Sequence, residues 1–248
     1  MGRPGRRGSL TYYGDDLALV HHLGFGFHAD ACAPGILALL EPVRGGLVLE
    51  LGCGSGLLTR HLVEAGHRVV ATDASPAMLA LARETAPQAE VRPLALPDDQ
   101  LPECDAIVSV GHVLNYLRDE AAIERALVAA AEALRPGGIL AVDLCDLRYG
   151  ELRRDEPNSS RLADDWAIVT RFTLPRANLF VREIAAFLRN GDGSWRRADE
   201  RHENVLVDTA AVPALLKEHG VGARVAESFG QEELPAGLVA IVGRTSAD

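Results

Sequence analysis

From Gly46 to about Asp143, short apolar runs alternate with longer stretches whose apolar residues recur every three or four positions. Strands alternating with helices read as βαβ units and a parallel sheet covered on both faces. Residues 47–51, Leu-Val-Leu-Glu-Leu, form the first strand of this reading, and a helix over 56–65 closes on Gly66. Residues 68–73 are the second strand. The helix after it starts cleanly, because Ser75 can cap and Pro76 suits the first helical position. Residues 91–94 and 106–110 supply strands three and four. Asp119 can cap the next helix, in which Ile123, Ala126, Leu127, Ala130 and Leu134 keep helical spacing. Pro136-Gly137-Gly138 is expected to end it, and 139–142 is the fifth strand.

After Tyr149 the period changes to two. Trp166, Ile168, Thr170, Phe172 and Leu174 alternate with smaller or polar residues. Residues 179–189 and 195–207 read as two further strands joined by Asn190-Gly191-Asp192-Gly193, a strong hairpin turn. A helix over 209–219 and strands over 223–229 and 238–243 finish the chain. The fold expected is α/β: a doubly wound, seven-stranded Rossmann-like sheet with an antiparallel β layer inserted after strand five. Residues 1–45 would form a leader and helical lid, 46–149 the core, 150–208 the inserted layer on the substrate side, and 209–248 the elements that complete the sheet.

Composition narrows the picture modestly. The 248 residues are 48% hydrophobic and 24% charged, ordinary globular values. No apolar run approaches the roughly 20 residues of a membrane helix, so no membrane role is expected. Met1 to Ser9 is basic and glycine-rich with no apolar core after it, which suggests an unstructured leader and not a signal peptide. The four cysteines, Cys32, Cys53, Cys104 and Cys145, are scattered, which fits free thiols in a reducing cytoplasm and disfavours zinc. A net charge of −10 with no basic stripe disfavours nucleic acid. A small-molecule partner is expected, with the chain a monomer or homodimer.

The chemistry begins at Glu50-Leu51-Gly52-Cys53-Gly54-Ser55-Gly56. Glycines between a buried strand and a helix let the backbone pass close to a ligand. The dinucleotide fingerprint requires G-x-G-x-x-G, whereas this loop reads G-x-G-x-G. Glu50 would repel a pyrophosphate but attract an ammonium group. Asp73 ends the second strand, 21 positions after Gly52, where a carboxylate can accept both ribose hydroxyls. That feature suits any adenosyl ligand.

Four motifs in order make the resemblance specific: residues 48–56, 72–79 (Thr-Asp-Ala-Ser-Pro-Ala-Met-Leu), 104–109 (Cys-Asp-Ala-Ile-Val-Ser) and 134–138 (Leu-Arg-Pro-Gly-Gly). Together they resemble the class I S-adenosylmethionine (SAM)-dependent methyltransferases, of the group that includes glycine N-methyltransferase-like and natural-product N- and O-methyltransferases. The resemblance implies SAM as cofactor and S-adenosylhomocysteine as product. It places Gly52, Cys53 and Gly54 along the methionine part, Glu50 at its amino end, Asp73 on the ribose, and Ala74 and Met78 on the adenine. Val110 and Gly111 would line the cleft, and Tyr12 or Tyr13 would contact the methionine end. Where the family often has an acidic residue at the adenine amino group, this chain reads Leu94-Ala95-Leu96-Pro97, so that contact falls to the backbone of Ala95 or Leu96. Met78 suits core packing equally well, and Cys53 reads better as a small spacer than as a nucleophile.

For the acceptor side, His112 follows strand four and is the first choice as general base or orienting group, with His28 on the lid the second. Asn115 and Tyr116 either hold that turn or contact SAM. Two glycines among the aromatic residues of 21–28 suit a mobile cover. Asp143 and Asp146 would point toward the cleft mouth, either to orient a substrate amine or hydroxyl or to cap the following turn. Arg171, Arg182, Glu183, Arg197 and Arg201 read mainly as a solvated sheet face, with one or two available for a substrate carboxylate or phosphate. His21, His22, His28 and Asp30 have metal-ligand chemistry, but adjacent helical histidines diverge, so no metal is expected. The function expected is methyl transfer to N or O of a small-molecule acceptor. The alternatives are a non-catalytic SAM-binding module and an NAD(P)-dependent oxidoreductase.

Overall fold

The computed structural model describes residues 12–154 and 158–247, and the expected leader lies outside the described residues. Two helices come first, α1 (Asp15–Gly24) and α2 (Phe27–Leu40). The alternating core follows: β1 (Leu47–Leu51), α3 (Leu57–Glu64), β2 (Arg68–Asp73), α4 (Pro76–Thr85), β3 (Glu90–Pro93), β4 (Cys104–Ser109), α5 (Glu120–Ala133) and β5 (Leu134–Cys145). A short helix α6 (Arg148–Glu151) leads into β6 (Asn158–Leu162), β7 (Trp166–Arg176), β8 (Leu179–Arg189) and β9 (Trp195–Val205). Helix α7 (Val212–Glu218) and strands β10 (Val221–Ala226) and β11 (Leu238–Thr245) close the chain.

The strands form a seven-stranded sheet in the order β10-β11-β5-β4-β1-β2-β3 and a separate antiparallel sheet β6-β7-β8-β9. In the large sheet only β11 runs against its neighbours. Side-chain parity explains why both faces are covered. Leu49 and Leu51 of β1 join the core made with Ile123, Ala126 and Leu127 of α5. Val48 points the other way, toward Ile36 of α2, Leu62 of α3 and Leu79 of α4. The small sheet turns Ile168, Ile184, Ala186 and Leu188 toward Leu17 and Val20 of α1.

Local chemistry sets the boundaries. Ser75 Oγ accepts from the Met78 amide and Asp119 from the Ala122 amide, fixing the starts of α4 and α5. Leu134 leaves the helical pattern and opens β5. Arg135 precedes Pro136 and is steered to extended backbone, so the strand begins before the proline. Residues 158–162 carry no alternating apolar signal, yet they pair along β7 from Asn158↔Arg171 to Leu162↔Ala167. At the other end, β10 starts at Val221 opposite Thr245, and Phe229 lies beyond it in the core against Gly35.

The two glycines of the lid are points of close approach. A Cβ on Gly24 would lie 2.4 Å from the Trp166 ring, and one on Gly26 2.7 Å from Leu57. No single helix among the described residues is long and apolar enough to cross a membrane; α1 and the segment Phe27–Val43 pass only together and are bent by 64°.

In an exposed helix Gly35→Ala would be favourable by about 1 kcal/mol. Here the added Cβ would meet Gly230 N at 2.6 Å and Phe229 C at 2.8 Å, backbone that has nowhere to go. Overpacking wins, and the variant is expected to lose about 1–3 kcal/mol, read from the urea midpoint.

Candidate active site

The carboxyl ends of β1, β2 and β4, the edge of β3, the lid helices and the inner face of the small sheet enclose one cleft of 1490 Å³. Single-ligand pockets are usually about 300–1,000 Å³, so this volume accommodates a nucleoside-sized ligand and a second small molecule. All fourteen site residues expected from the sequence line it. Position 73 of β2 and positions 110–112 after β4 reach it because parallel strands deliver their carboxyl ends to one edge.

At the first end, β1 brings in Glu50, only 2% exposed. Its Oε2 accepts from Thr59 Oγ1 at 2.6 Å. Burial, set against that hydrogen bond, pushes its carboxyl up to about 8. The Asp73 carboxylate is held by the amides of Gly54 (2.9 Å) and Ser75 (2.8 Å), and burial raises its pKa despite those bonds. Each oxygen keeps a lone pair for a further donor. The glycines divide the work. Gly52, at φ 69°, leaves room for Val113, whose Cγ atoms would be 2.4 Å from a Cβ. A Cβ on Gly54 would meet nothing within 4 Å, so this left-handed residue presents bare backbone to open cleft. Met78 and Cys53 are both buried and both touch the cleft. Burial holds the Cys53 thiol well above its usual range, which removes it as a nucleophile.

At the second end, His112 occupies left-handed backbone (φ 51°) after Gly111 (φ 99°). Asp143 fixes that turn. Its carboxylate accepts from the amides of Gly111 (2.8 Å) and His112 (2.6 Å). Its Oδ2 also lies 3.4 Å from His28 Nε2 on α2. Asp143 is fully buried, so it faces this turn and not the cleft mouth, where the sequence had suggested it. Asp146 takes the capping role: Oδ1 accepts from the Arg148 amide at 3.0 Å in the turn that follows, and Oδ2 accepts from Thr209 Oγ1 at 2.7 Å and anchors the approach to α7. Burial, with the Arg182 charge second, keeps the His112 imidazole well below its ordinary pKa, so it is neutral at pH 7. The ring stacks on Tyr116 at 5.8 Å.

Asn115 and Tyr116 separate cleanly. Asn115 is buried, donating to Cys145 O and Val205 O and accepting from Cys145 N at 2.8 Å, which ties the turn to both sheets. Tyr116 faces the cleft, its hydroxyl 2.9 Å from that of Tyr13. Tyr13 itself sits at φ 59°, held there because Glu200 accepts its amide and that of Gly14. The lid polar residues diverge: His21 stacks on Phe25, His22 bonds Ser55, and Asp30 pairs with His61. Among the described residues no cluster of three or more His, Cys, Asp or Glu could hold a metal.

Of the five charged residues read mainly as a solvated face with one or two available to a substrate, Arg182 is the one the structure turns inward. Phe180, Arg182 and Ile184 share parity on β8, and Arg182 pairs with His202 across β9. Arg171, Glu183, Arg197 and Arg201 lie on the outer face in exposed ion pairs. The apolar parity of 180, 184, 186 and 188 was the available signal.

A sheet in this order with a glycine turn, a strand-end aspartate and a neighbouring buried glutamate defines a nucleoside-binding α/β enzyme of the methyltransferase type. A family model described as a methyltransferase domain matches residues 48–138. The chain is 30% identical over 228 residues to trans-aconitate 2-methyltransferase of Azoarcus sp. (strain BH72), covering 88% of this chain and 85% of that protein. Among solved structures it is similar to Streptomyces venezuelae DesVI (TM-score 0.78, 23% identity, 95% and 100% of the two chains). It is also similar to SAM-bound CalS10, an amino pentose methyltransferase from Micromonospora echinaspora (TM-score 0.71, 20% identity, 96% and 99%). The chain belongs to the SAM-dependent methyltransferases; it is an enzyme and SAM is its cofactor, which sets aside the oxidoreductase reading. The site fits that group, with bare backbone at Gly54 and spare acceptors on Asp73.

Because the Glu50 carboxyl rises from 4.5 to about 8 in the folded chain, the fold holds a proton that the unfolded chain has lost between those values. Stability of the SAM-free protein therefore falls as pH rises across that window. Glu50→Gln is expected to flatten this decline, measured as the difference in urea midpoint between about pH 5 and pH 8. Parallel curves for the two proteins would show that Glu50 is ionised in the fold.

Proposed function

We propose that the protein transfers a methyl group to nitrogen or oxygen of a small-molecule acceptor by in-line displacement. The carrying observation is the single cleft, with Glu50, Gly54 and Asp73 at one end and His28 and His112 at the other. SAM, when bound, supplies an electrophilic methyl on a sulfonium. The chain then has to align the acceptor, keep water out and accommodate a proton.

Asp73 accepts the ribose hydroxyls, and Ala74 and Met78 pack on the adenine beside the Ala95 and Leu96 backbone. Glu50, protonated near neutral pH without a ligand, gives up its proton and stands against the ammonium end. Tyr13, α1 and the inner face of the small sheet close the cleft against water. Neutral His112 accepts a hydrogen bond from the acceptor N–H or O–H and aims the lone pair. His28 takes the released proton, and the buried carboxylate of Asp143 lies beside the resulting imidazolium. The names of the relatives include both trans-aconitate and an amino pentose as acceptors. They support a small, polar acceptor, and the acidic chain supports one that is not nucleic acid. No observation favours a non-catalytic module.

The test is incubation with methyl-labelled SAM and a panel of small amines, hydroxyl compounds and carboxylates. Label is expected on N or O of at least one; tight SAM binding with no acceptor ever labelled would overturn the proposal. Asp73→Ala is expected to weaken SAM binding by about 1–3 kcal/mol, read by calorimetry. His112→Ala and His28→Ala should leave that affinity within about twofold and lower turnover about a hundredfold. Full activity in either variant removes that histidine from the mechanism.

A further inference from the structure

The guanidinium of Arg182 enters the cleft from β8; of the three arginines of the small sheet that line the cleft, Arg161 and Arg176 are exposed, with Arg161 donating to Gly24 O, and Arg182 is the half-buried one. It donates to Tyr116 Oη and stands 5.5 Å from the Tyr116 ring centroid. Among the described residues no carboxylate lies within 4.0 Å of it. Its Nε is buried with no hydrogen-bond partner among the described residues. The arginines of the outer face differ in kind: Arg171, Arg197 and Arg201 each meet a carboxylate in solvent.

None of the described side chains in contact with Arg182 carries the opposite charge. Tyr116 is a neutral phenol, since burial raises its pKa well above 10. His21 and His112 are neutral, His21 pushed down to about 4 by burial and then by Arg182 itself. His202 is occupied by Glu200, whose Oε2 lies 2.7 Å from Nε2 and which also binds the backbone of Tyr13 and Gly14. An arginine is always protonated, and a half-buried cation without an anion beside it is unfavourable. A guanidinium fork kept in that condition matches a carboxylate or phosphate in a bidentate arrangement.

We infer that Arg182, with the Tyr116 hydroxyl beside it, is the seat for an anionic oxygen group, above all a carboxylate, of a molecule bound in the cleft. The inference rests on the proposed SAM-dependent reaction and names a subsite of it. Two molecules can bring such a group. Tyr116 Oη touches Tyr13 Oη, and Tyr13 O takes Ser75 Oγ at 2.6 Å next to Asp73, so one side of Arg182 leads to the donor and its methionine carboxylate. The other side leads to the aromatic wall of Phe172, Phe180 and Tyr149, where an anionic acceptor would lie.

The experiment is calorimetry on the full chain and its R182M and R182K variants, with thermal melts as the folding control. One arm compares S-adenosylhomocysteine with 5′-methylthioadenosine, which lacks the amino-acid tail. The second arm, on protein saturated with S-adenosylhomocysteine, compares benzoate and phenyl phosphate with neutral benzamide. If the seat takes the donor's carboxylate, R182M weakens S-adenosylhomocysteine at least tenfold and leaves 5′-methylthioadenosine within about twofold. If it takes an acceptor's anion, the first arm is unchanged, and wild type prefers benzoate or phenyl phosphate over benzamide by a margin that R182M abolishes. R182K keeps the charge without the fork and should fall between, which carries the test if R182M does not fold. The inference is overturned if both ratios are the same in wild type and variants. Failure of wild type to bind either adenosyl compound would instead sink the donor site at Asp73.

Discussion

The buried carboxylate of Asp143 is the constraint on which the acceptor end of this enzyme depends. It belongs to β5, in the middle of the large sheet, and has no access to solvent. A carboxylate there is tolerable only when its oxygens are filled by donors. Three groups from two elements supply them: the two amides of the turn after β4 and the imidazole of His28 on α2. The left-handed backbone of Gly111 and His112 is thereby fixed, with the imidazole of His112 in the cleft. Strand, turn and lid are positioned by one group, so the two histidines of the proposed mechanism share an anchor.

The donor end uses the same device more lightly. Asp73 is held by the amides of Gly54 and Ser75, and Glu50 by Thr59. These partners orient the carboxylates and leave lone pairs over. The glycine turn therefore does two things at once, offering bare backbone at Gly54 and an amide that aims Asp73. Glu50 is the costlier element, because burial drives it toward its protonated form when nothing cationic stands near it.

The small sheet is more than a cover. Asn115 binds it to the core through Val205 and Cys145, and Glu200 ties its β9 strand to the backbone entering α1. Its two faces have opposite electrostatic characters. Outside, arginines and carboxylates pair in water, where such pairs contribute little. Inside, the guanidinium of Arg182 stands half-buried among phenols and neutral imidazoles. A chain of net charge −10 thus presents a cation to the inside of its cleft.

Much of this was legible in the residues themselves. The alternation of apolar runs located β1, β2, β4 and the caps at Ser75 and Asp119, because those signals are local and repeat at the period of the element. The glycine turn, Glu50 and Asp73 located the donor end for a related reason: parallel strands bring their carboxyl ends to one edge, so position along a strand already implies position at the site. What the sequence could not settle were directions set by pairing partners far along the chain. Strand β6 exists because β7 offers it an edge, and its own residues carry no period. Asp143 turns to a backbone loop 31 positions away instead of to the cleft mouth. Arg182 faces inward although four charged neighbours of the same layer face out. That Gly24 and Gly26 are closely approached by Trp166 and Leu57 is likewise set by segments far along the chain. Periodicity and capping are short-range consequences of backbone geometry; which buried charge meets which donor is decided only when distant segments pack.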